Sequence, residues 1–126
     1  MINIAKQIAY WTKGAHEDWS VANELVKHNR PRHGLFFAHL ALEKAMKAHV
    51  CRHTQDLAPR IHNLLRLFEL TGLNADLEQL EIFAEMNAFH IEGRYPESLT
   101  PPPSPEEGKE YLARAREVFQ WLINQL

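Results

Sequence analysis

The sequence has a single cysteine and no long apolar run, and each of these absences excludes a class of protein. Cys51 is the single cysteine, so no disulfide can form within the chain and a disulfide-stapled secreted fold is excluded. No apolar run approaches the roughly 18 residues that span a bilayer, and the first residues lack the layout of a signal peptide. We therefore expect a cytoplasmic protein that does not enter the membrane.

Signals for β-structure and for the common catalytic motifs are also missing. There is no sustained alternation of apolar and polar residues and no Asn-Gly or Asp-Gly hairpin turn. A P-loop, a dinucleotide glycine fingerprint, a His-Glu-x-x-His motif and a Ser or Cys nucleophile motif are absent. His49 and His53, like His39 and Glu43, have the i, i+4 spacing of metal ligands. No third ligand is evident beside either pair, so neither a metal nor a cofactor is predicted.

Helical periodicity is what the sequence does contain. The predicted helices cover about residues 2–28, 31–54, 60–71 and 74–90, and a fifth begins at Ser104 after a connector over 91–103. Pro31 suits a first helical turn, Asn74 is a plausible N-cap, and Ser104 precedes a proline and two acids. The fourth helix is predicted to turn Leu77, Leu80, Phe83, Ala84 and Ala88 inward. We expect one all-α domain over 1–126, an antiparallel up-and-down bundle of four to five helices.

Charge is small overall but unevenly distributed along the chain. The formal net charge is −2, yet residues 27–66 contain eight cations and two acids, whereas residues 67–110 contain ten acids and two cations. Such asymmetry is typical of an anion-binding face. It is equally typical of charges that hold helices or subunits together, and the composition alone leaves both interpretations open.

The stretch Ala-Leu-Glu-Lys-Ala-Met-Lys-Ala at residues 41–48 combines core and charge. The second helix is apolar nearly all round up to this point, which predicts burial on most sides. It then gains three charges within two turns, at Glu43, Lys44 and Lys47, and buried charges need partners. Asp18 lies on the apolar stripe of the first helix and is expected to pair with Lys44. Lys47 is then the cation of this stretch that is freest to bind a ligand.

Two further places present polar side chains that can carry chemistry. His62 is expected at the start of the third helix, beside Arg60 and near free backbone N–H groups. There it can bind an anion or act as an acid or base, or it can simply pack the helix end. Arg94-Tyr95-Pro96 follows the fourth helix in an irregular segment, where an arginine can bind phosphate bidentately or tie the segment to nearby acids.

Taken in order, these residues give the chain a resemblance to the HEPN domain family. The resemblance begins at Tyr10-Trp11, is strongest at 41–48, and continues through His62-Asn63-Leu64, Asn87 and Arg94-Tyr95-Pro96, with Asp18, Ala22 and Leu25 between. It implies a helical bundle that usually forms a homodimer and associates with nucleotides or RNA. It also implies a partner, because many such domains are encoded beside a minimal nucleotidyltransferase as a toxin–antitoxin pair.

The resemblance further implies a pattern for catalysis. Active members of the family are metal-independent ribonucleases with an Arg, four to six residues and then a His, placed across the dimer interface. In this chain that spacing occurs at Arg32 and His39, earlier than the family's motif. The preferred hypothesis is therefore a binding module without catalysis, the partner of a minimal nucleotidyltransferase.

Each hypothesis assigns particular residues. In the binding module Lys44, Lys47, Arg60 and Tyr95 bind the ligand, and Asp18 and Glu43 are structural. One alternative is a ribonuclease toxin that uses His62 and Arg94 as catalytic residues. A second alternative is a structural dimeric scaffold, in which the charges only hold the bundle and the dimer together.

Overall fold

Five α-helices and one 3₁₀ turn make up the regular structure in the computed structural model, which describes residues 2–90 and 101–126. The helices are α1 (Ile4–Lys27), α2 (Pro31–Thr54), α3 (Leu64–Glu69), α4 (Leu77–Met86) and α5 (Pro105–Ile123), with the 3₁₀ turn at Asn87–Phe89. The predicted all-α fold is confirmed. Within the described ranges, no helix is both long enough and apolar enough to cross a bilayer.

Helices α1 and α2 form a long antiparallel hairpin that organises the bundle. A short turn joins them, and Asn29 in this turn adopts a left-handed φ of 61°. Gly34 lets the two backbones approach closely, since a Cβ there would lie 2.5 Å from Cγ2 of Val26 and 3.1 Å from the Ala22 carbonyl oxygen. This close crossing fixes which side chains of α1 cover α2.

Helix α2 is the centre of the molecule, because α1, α3 and α5 all pack against it. Fourteen of its 24 residues are buried, as its nearly uniform apolar character predicts. Its bounds agree with the sequence prediction, and so does the start of α5. There the Ser104 and Glu107 side chains bond each other's backbone N–H groups in a capping box.

The two short helices depart from the sequence prediction. Helix α3 begins only at Leu64, because Asn63 accepts hydrogen bonds from the backbone N–H groups of Leu65 and Arg66 and so caps the helix. Helix α4 begins at Leu77 behind a capping box made by Asp76 and Gln79, so the prediction of Asn74 as the N-cap is wrong.

The inward face of α4 also differs from the predicted one. Leu77 is 72% exposed, and Ala84 and Ala88 are exposed as well. Phe83 is buried as predicted, Leu80 packs against the core, and Ile82 and Met86 are buried in place of the two alanines. A helix of ten residues offers few repeats from which to phase its apolar stripe, so packing against α3 and α5 decides the face.

Candidate functional site

The ion pair predicted between Asp18 and Lys44 is present. Lys44 Nζ lies 2.7 Å from Asp18 Oδ2, with side chains that are 29% and 13% exposed. The contact is an ion pair rather than a well-aligned hydrogen bond. The stem of Lys44 lies against Gly14 of α1, 3.1 Å from where a Cβ would be. Lys44 therefore joins α2 to α1, and its charge is already matched.

Lys47 is enclosed, so the expectation that it is the freest cation of the 41–48 stretch is wrong. Its Nζ donates to Glu43 Oε2 at 3.0 Å, and the two side chains are only 7% and 5% exposed. The ammonium group also lies 5.1 Å from the centre of the Trp11 ring, a cation–π contact from α1. Because α1 covers this side of α2, the Lys47 ammonium group belongs to the interior rather than to a ligand-binding surface.

Glu43 is the centre of a polar cluster that includes other side chains besides Lys47. His62 Nδ1 lies 3.2 Å from both carboxylate oxygens, and His39 Nδ1 lies 3.8 Å from Oε1. The carboxylate thus accepts from the ammonium group on one side and faces two imidazoles on the other. Such a buried acid is tolerable because it is paired and hydrogen-bonded.

His62 does not lie at a helix N-terminus with free donors, as the sequence predicted. It precedes Asn63, the N-cap of α3, and the first N–H groups of α3 are already used. Leu64 N–H donates to Asn87 Oδ1 at 2.8 Å, and the next two donate to Asn63. An anion therefore finds no vacant backbone donors there. The His62 side chain is instead half exposed, at 50%, with Glu43 behind it.

His90 joins the cluster from the end of the 3₁₀ turn. Its ring stacks on His62 with centroids 4.8 Å apart and planes 21° apart. It also lies 5.0 Å from the His39 ring and 6.3 Å from the Phe36 ring. Asn87 holds the two segments in place, because its side chain reaches the start of α3. Nothing in the sequence spacing indicated that His90 would meet His62.

His39 is fully buried and neutral at physiological pH. Burial lowers the pKa of His39 to about 4, against the opposing effect of the Glu43 carboxylate. Neither of its ring nitrogens forms a well-aligned hydrogen bond with any described residue. In the Arg32–His39 pair, which has the spacing of the family's ribonuclease motif, the His39 imidazole is therefore inaccessible to an RNA phosphate, whereas Arg32 is exposed.

The other predicted site residues are not gathered at this cluster by any described contact. Arg60 is exposed, two residues before His62. Arg94 and Tyr95 lie outside the described residues. His49, one of the i, i+4 histidine pair, contacts the Leu122 carbonyl oxygen at 2.7 Å and so joins α2 to α5.

The basic segment presents most of its charge to solvent. Six of the eight cations between residues 27 and 66 are exposed, namely Lys27, Arg30, Arg32, Arg52, Arg60 and Arg66. Among the residues that the structure describes, no ion pair joins this segment to the acids of 67–90. Within that part of the chain, the charge asymmetry does not serve to hold the helices together.

The fold and the cluster define a class: an all-helical domain whose central helix buries a carboxylate–ammonium pair beside a group of imidazoles. The family model of the HEPN domain matches residues 8–126. The chain therefore belongs to the HEPN domain family.

Two solved structures are similar in fold. TT1696 from Thermus thermophilus has 19% sequence identity, and the match covers 95% of this chain and 98% of that one with a TM-score of 0.77. ST0689, an archaeal HEPN homologue, has 18% identity over 94% of this chain and 96% of that one, with a TM-score of 0.72. At these identities the likeness concerns the fold alone. No curated protein sequence matches the chain significantly.

Proposed function

We propose that this HEPN protein is a binding module for a nucleotide or RNA, that it forms a homodimer, and that it is the partner of a minimal nucleotidyltransferase. The observation that supports ligand binding is the pair of imidazoles at His62 and His90, whose stacked rings lie at or near the surface. Nucleobases stack on flat side chains, and arginine binds phosphate. Arg60 supplies an exposed cation two residues away along the chain.

The structure changes which cations we assign to ligand binding. Lys44 and Lys47 are matched by Asp18 and Glu43, so moving them to a phosphate would leave a carboxylate without its partner. Arg60 and Arg32 are exposed, and no described carboxylate pairs with them. We therefore assign phosphate contact to the exposed arginines and a structural role to the two lysines.

Binding is tested by fluorescence anisotropy with a labelled single-stranded RNA and with labelled nucleotides over a series of salt concentrations. Replacing Arg60 with alanine should weaken binding and lower the slope of log Kd against log salt by about one, the loss of one phosphate contact. The matched control is Arg116→Ala, an exposed arginine of α5 that donates to Asn23 instead. Absence of binding at low salt, or equal losses in both variants, would refute the assignment and favour the scaffold.

The partner is tested separately by co-expression with a minimal nucleotidyltransferase encoded beside this gene. A stable complex on size-exclusion chromatography is expected, and the mass of this protein alone should be that of a homodimer. Failure to form the complex would remove the partner from the proposal without affecting ligand binding.

A ribonuclease is the second candidate, and the contact between Glu43 and His62 favours it. A carboxylate on Nδ1 orients an imidazole and leaves Nε2 for proton transfer, the arrangement found in many general bases. Wild-type protein should then cleave RNA in the presence of a chelator, and His62→Ala and Arg94→Ala should each abolish cleavage. RNA left intact by the wild-type protein would exclude this candidate.

A further inference from the structure

Three side chains that can bind a metal ion converge from three parts of the chain, and His39 lies beside them. His39 and Glu43 lie one turn apart on α2, His62 lies just before α3, and His90 follows the 3₁₀ turn. One ligand atom from each of Glu43, His62 and His90 lies within 4.8 Å of the other two. His39 adds a fourth nitrogen, 3.8 Å from Glu43 Oε1.

These distances are close to those of an occupied site. Zinc binds nitrogen and oxygen at about 2.0–2.2 Å in a tetrahedron, so neighbouring ligand atoms lie roughly 3.3 Å apart. Glu43 and His62 already have a separation of 3.2 Å. Within the group of Glu43, His62 and His90, the other ligand atoms need to approach by at most about 1.5 Å, which small side-chain rotations supply. His62 is half exposed, and His90 ends a helical turn, so both have room to move.

His39 provides an independent reason to expect a ligand. Its side chain is fully buried, yet both ring nitrogens lack a well-aligned hydrogen bond within the described structure. The His62 backbone and Glu43 Oε1 interact with this ring only weakly, and a bound ion would give it a stronger partner. Its Nδ1 faces the same carboxylate oxygen that faces His62, so one ion between them would give this nitrogen a partner.

We propose that His39, Glu43, His62 and His90 form a binding site for one divalent transition-metal ion of the Zn²⁺ class. The ligand set of imidazoles and one carboxylate suits zinc, nickel and similar ions and is unsuited to magnesium or calcium, which prefer oxygen. Lys47 holds Glu43 Oε2, so the carboxylate binds the ion through Oε1 alone. The exposed side of His62 gives the ion its route of entry from solvent.

The proposal does not depend on nucleotide binding, and its test needs no nucleotide. Untagged protein is first stripped of metal with a chelator, and the chelator is then removed. The protein is titrated with Co²⁺ while the visible absorption is recorded. We expect one Co²⁺ per chain with the intense absorption of a tetrahedral site, displaced by one equivalent of Zn²⁺. The same Zn²⁺ addition should raise the melting temperature.

The variants separate this site from the other histidines of the chain. His62→Ala and His90→Ala each remove a ligand on the accessible side and should weaken Co²⁺ binding by at least about tenfold. The matched control is His53→Ala, because His53 is an exposed histidine of the same helix as His39 and belongs to the His49–His53 pair. It should leave binding unchanged.

The test of the metal site does not depend on substitutions of buried residues. Circular dichroism confirms that each variant is folded, and the two accessible ligand variants remain informative even where Glu43→Gln fails to fold. Absence of saturable Co²⁺ absorption would overturn the site. So would unchanged binding by His62→Ala and His90→Ala, or a loss in His53→Ala equal to theirs.

Discussion

The pair of Glu43 and Lys47 makes a sharp prediction about the 41–48 stretch. In Lys47→Met the side-chain volume is kept, but the Glu43 carboxylate, whose side chain is 5% exposed, loses its ammonium partner. Removing one partner of a buried pair typically costs about 3–5 kcal/mol. Because the His62 imidazole still contacts the carboxylate, we expect a loss of about 2–4 kcal/mol in the free energy of unfolding.

The double variant should behave differently from either single one. Glu43→Leu alone leaves a buried ammonium group facing Trp11 and should also be costly. Replacing both residues with apolar side chains of similar size removes the desolvated charges together, which is often nearly neutral. The double-mutant cycle should therefore show a coupling energy of at least about 2 kcal/mol.

The assay is urea unfolding near neutral pH, followed by circular dichroism, in metal-free buffer. Lys44→Met is the matched control, because this lysine is on the same helix and pairs with Asp18, but its side chain is 29% exposed. Because the Asp18 carboxylate that it leaves behind is only 13% exposed, its loss should lie between that of an exposed pair and that of the Glu43–Lys47 pair, at about 1–2 kcal/mol. If both single variants at the buried pair cost less than about 1 kcal/mol and their effects add, the structural role assigned to the pair is wrong.

Two further predictions concern packing and pH. Gly34→Ala places a Cβ 2.5 Å from Val26 Cγ2 and should destabilise the protein by about 1–3 kcal/mol. In Gly14→Ala the new Cβ meets only the flexible Lys44 stem, so this variant should gain about 0.5–1 kcal/mol from helix propensity. If the urea midpoints of both variants shift in the same direction, the close crossing of α1 and α2 is contradicted. Burial lowers the pKa of His49 below its ordinary value of 6.5, so the unfolded chain binds more protons and stability should fall as pH drops below that value. His49→Gln should flatten this decline in denaturation midpoints, and an unchanged pH profile would contradict it.

The fold could be predicted to the extent that its helices are long. A helix of 24 residues repeats its apolar pattern many times, so the bounds of α2 follow from the sequence. Helix α3 has only six residues, and its start is set by the Asn63 side chain rather than by periodicity. Helix α4 has ten residues, too few to show that Leu77 faces solvent.

The site could be predicted only where its signal is local. An acid on an apolar stripe requires a cation, and Lys44 meets this requirement for Asp18 because its side of α2 can face α1. The enclosure of Lys47 depends on Trp11 of α1, which is distant along the chain, so the sequence pattern of α2 alone cannot predict it. The convergence of His39 with His90 joins residues that share no spacing at all. It is determined by where the 3₁₀ turn ends, and Asn87 sets that position through its contact with α3.

Neutralising Glu43 does not by itself account for the imidazoles around it. Lys47 alone satisfies the charge of this carboxylate from one turn away on the same helix, yet His39 and His62 face it too, and His90 stacks on His62. Because a buried imidazole without a well-aligned hydrogen bond is costly, a purely structural cluster would be more stable with an apolar residue at position 39. The three activities considered use different parts of His62: a nucleobase needs the ring face, a general base needs Nε2, and a metal ion needs Nδ1. His62→Phe keeps the ring face and removes both nitrogens. If this variant still binds RNA but loses Co²⁺ binding and any RNA cleavage, the His62 nitrogens serve chemistry rather than packing.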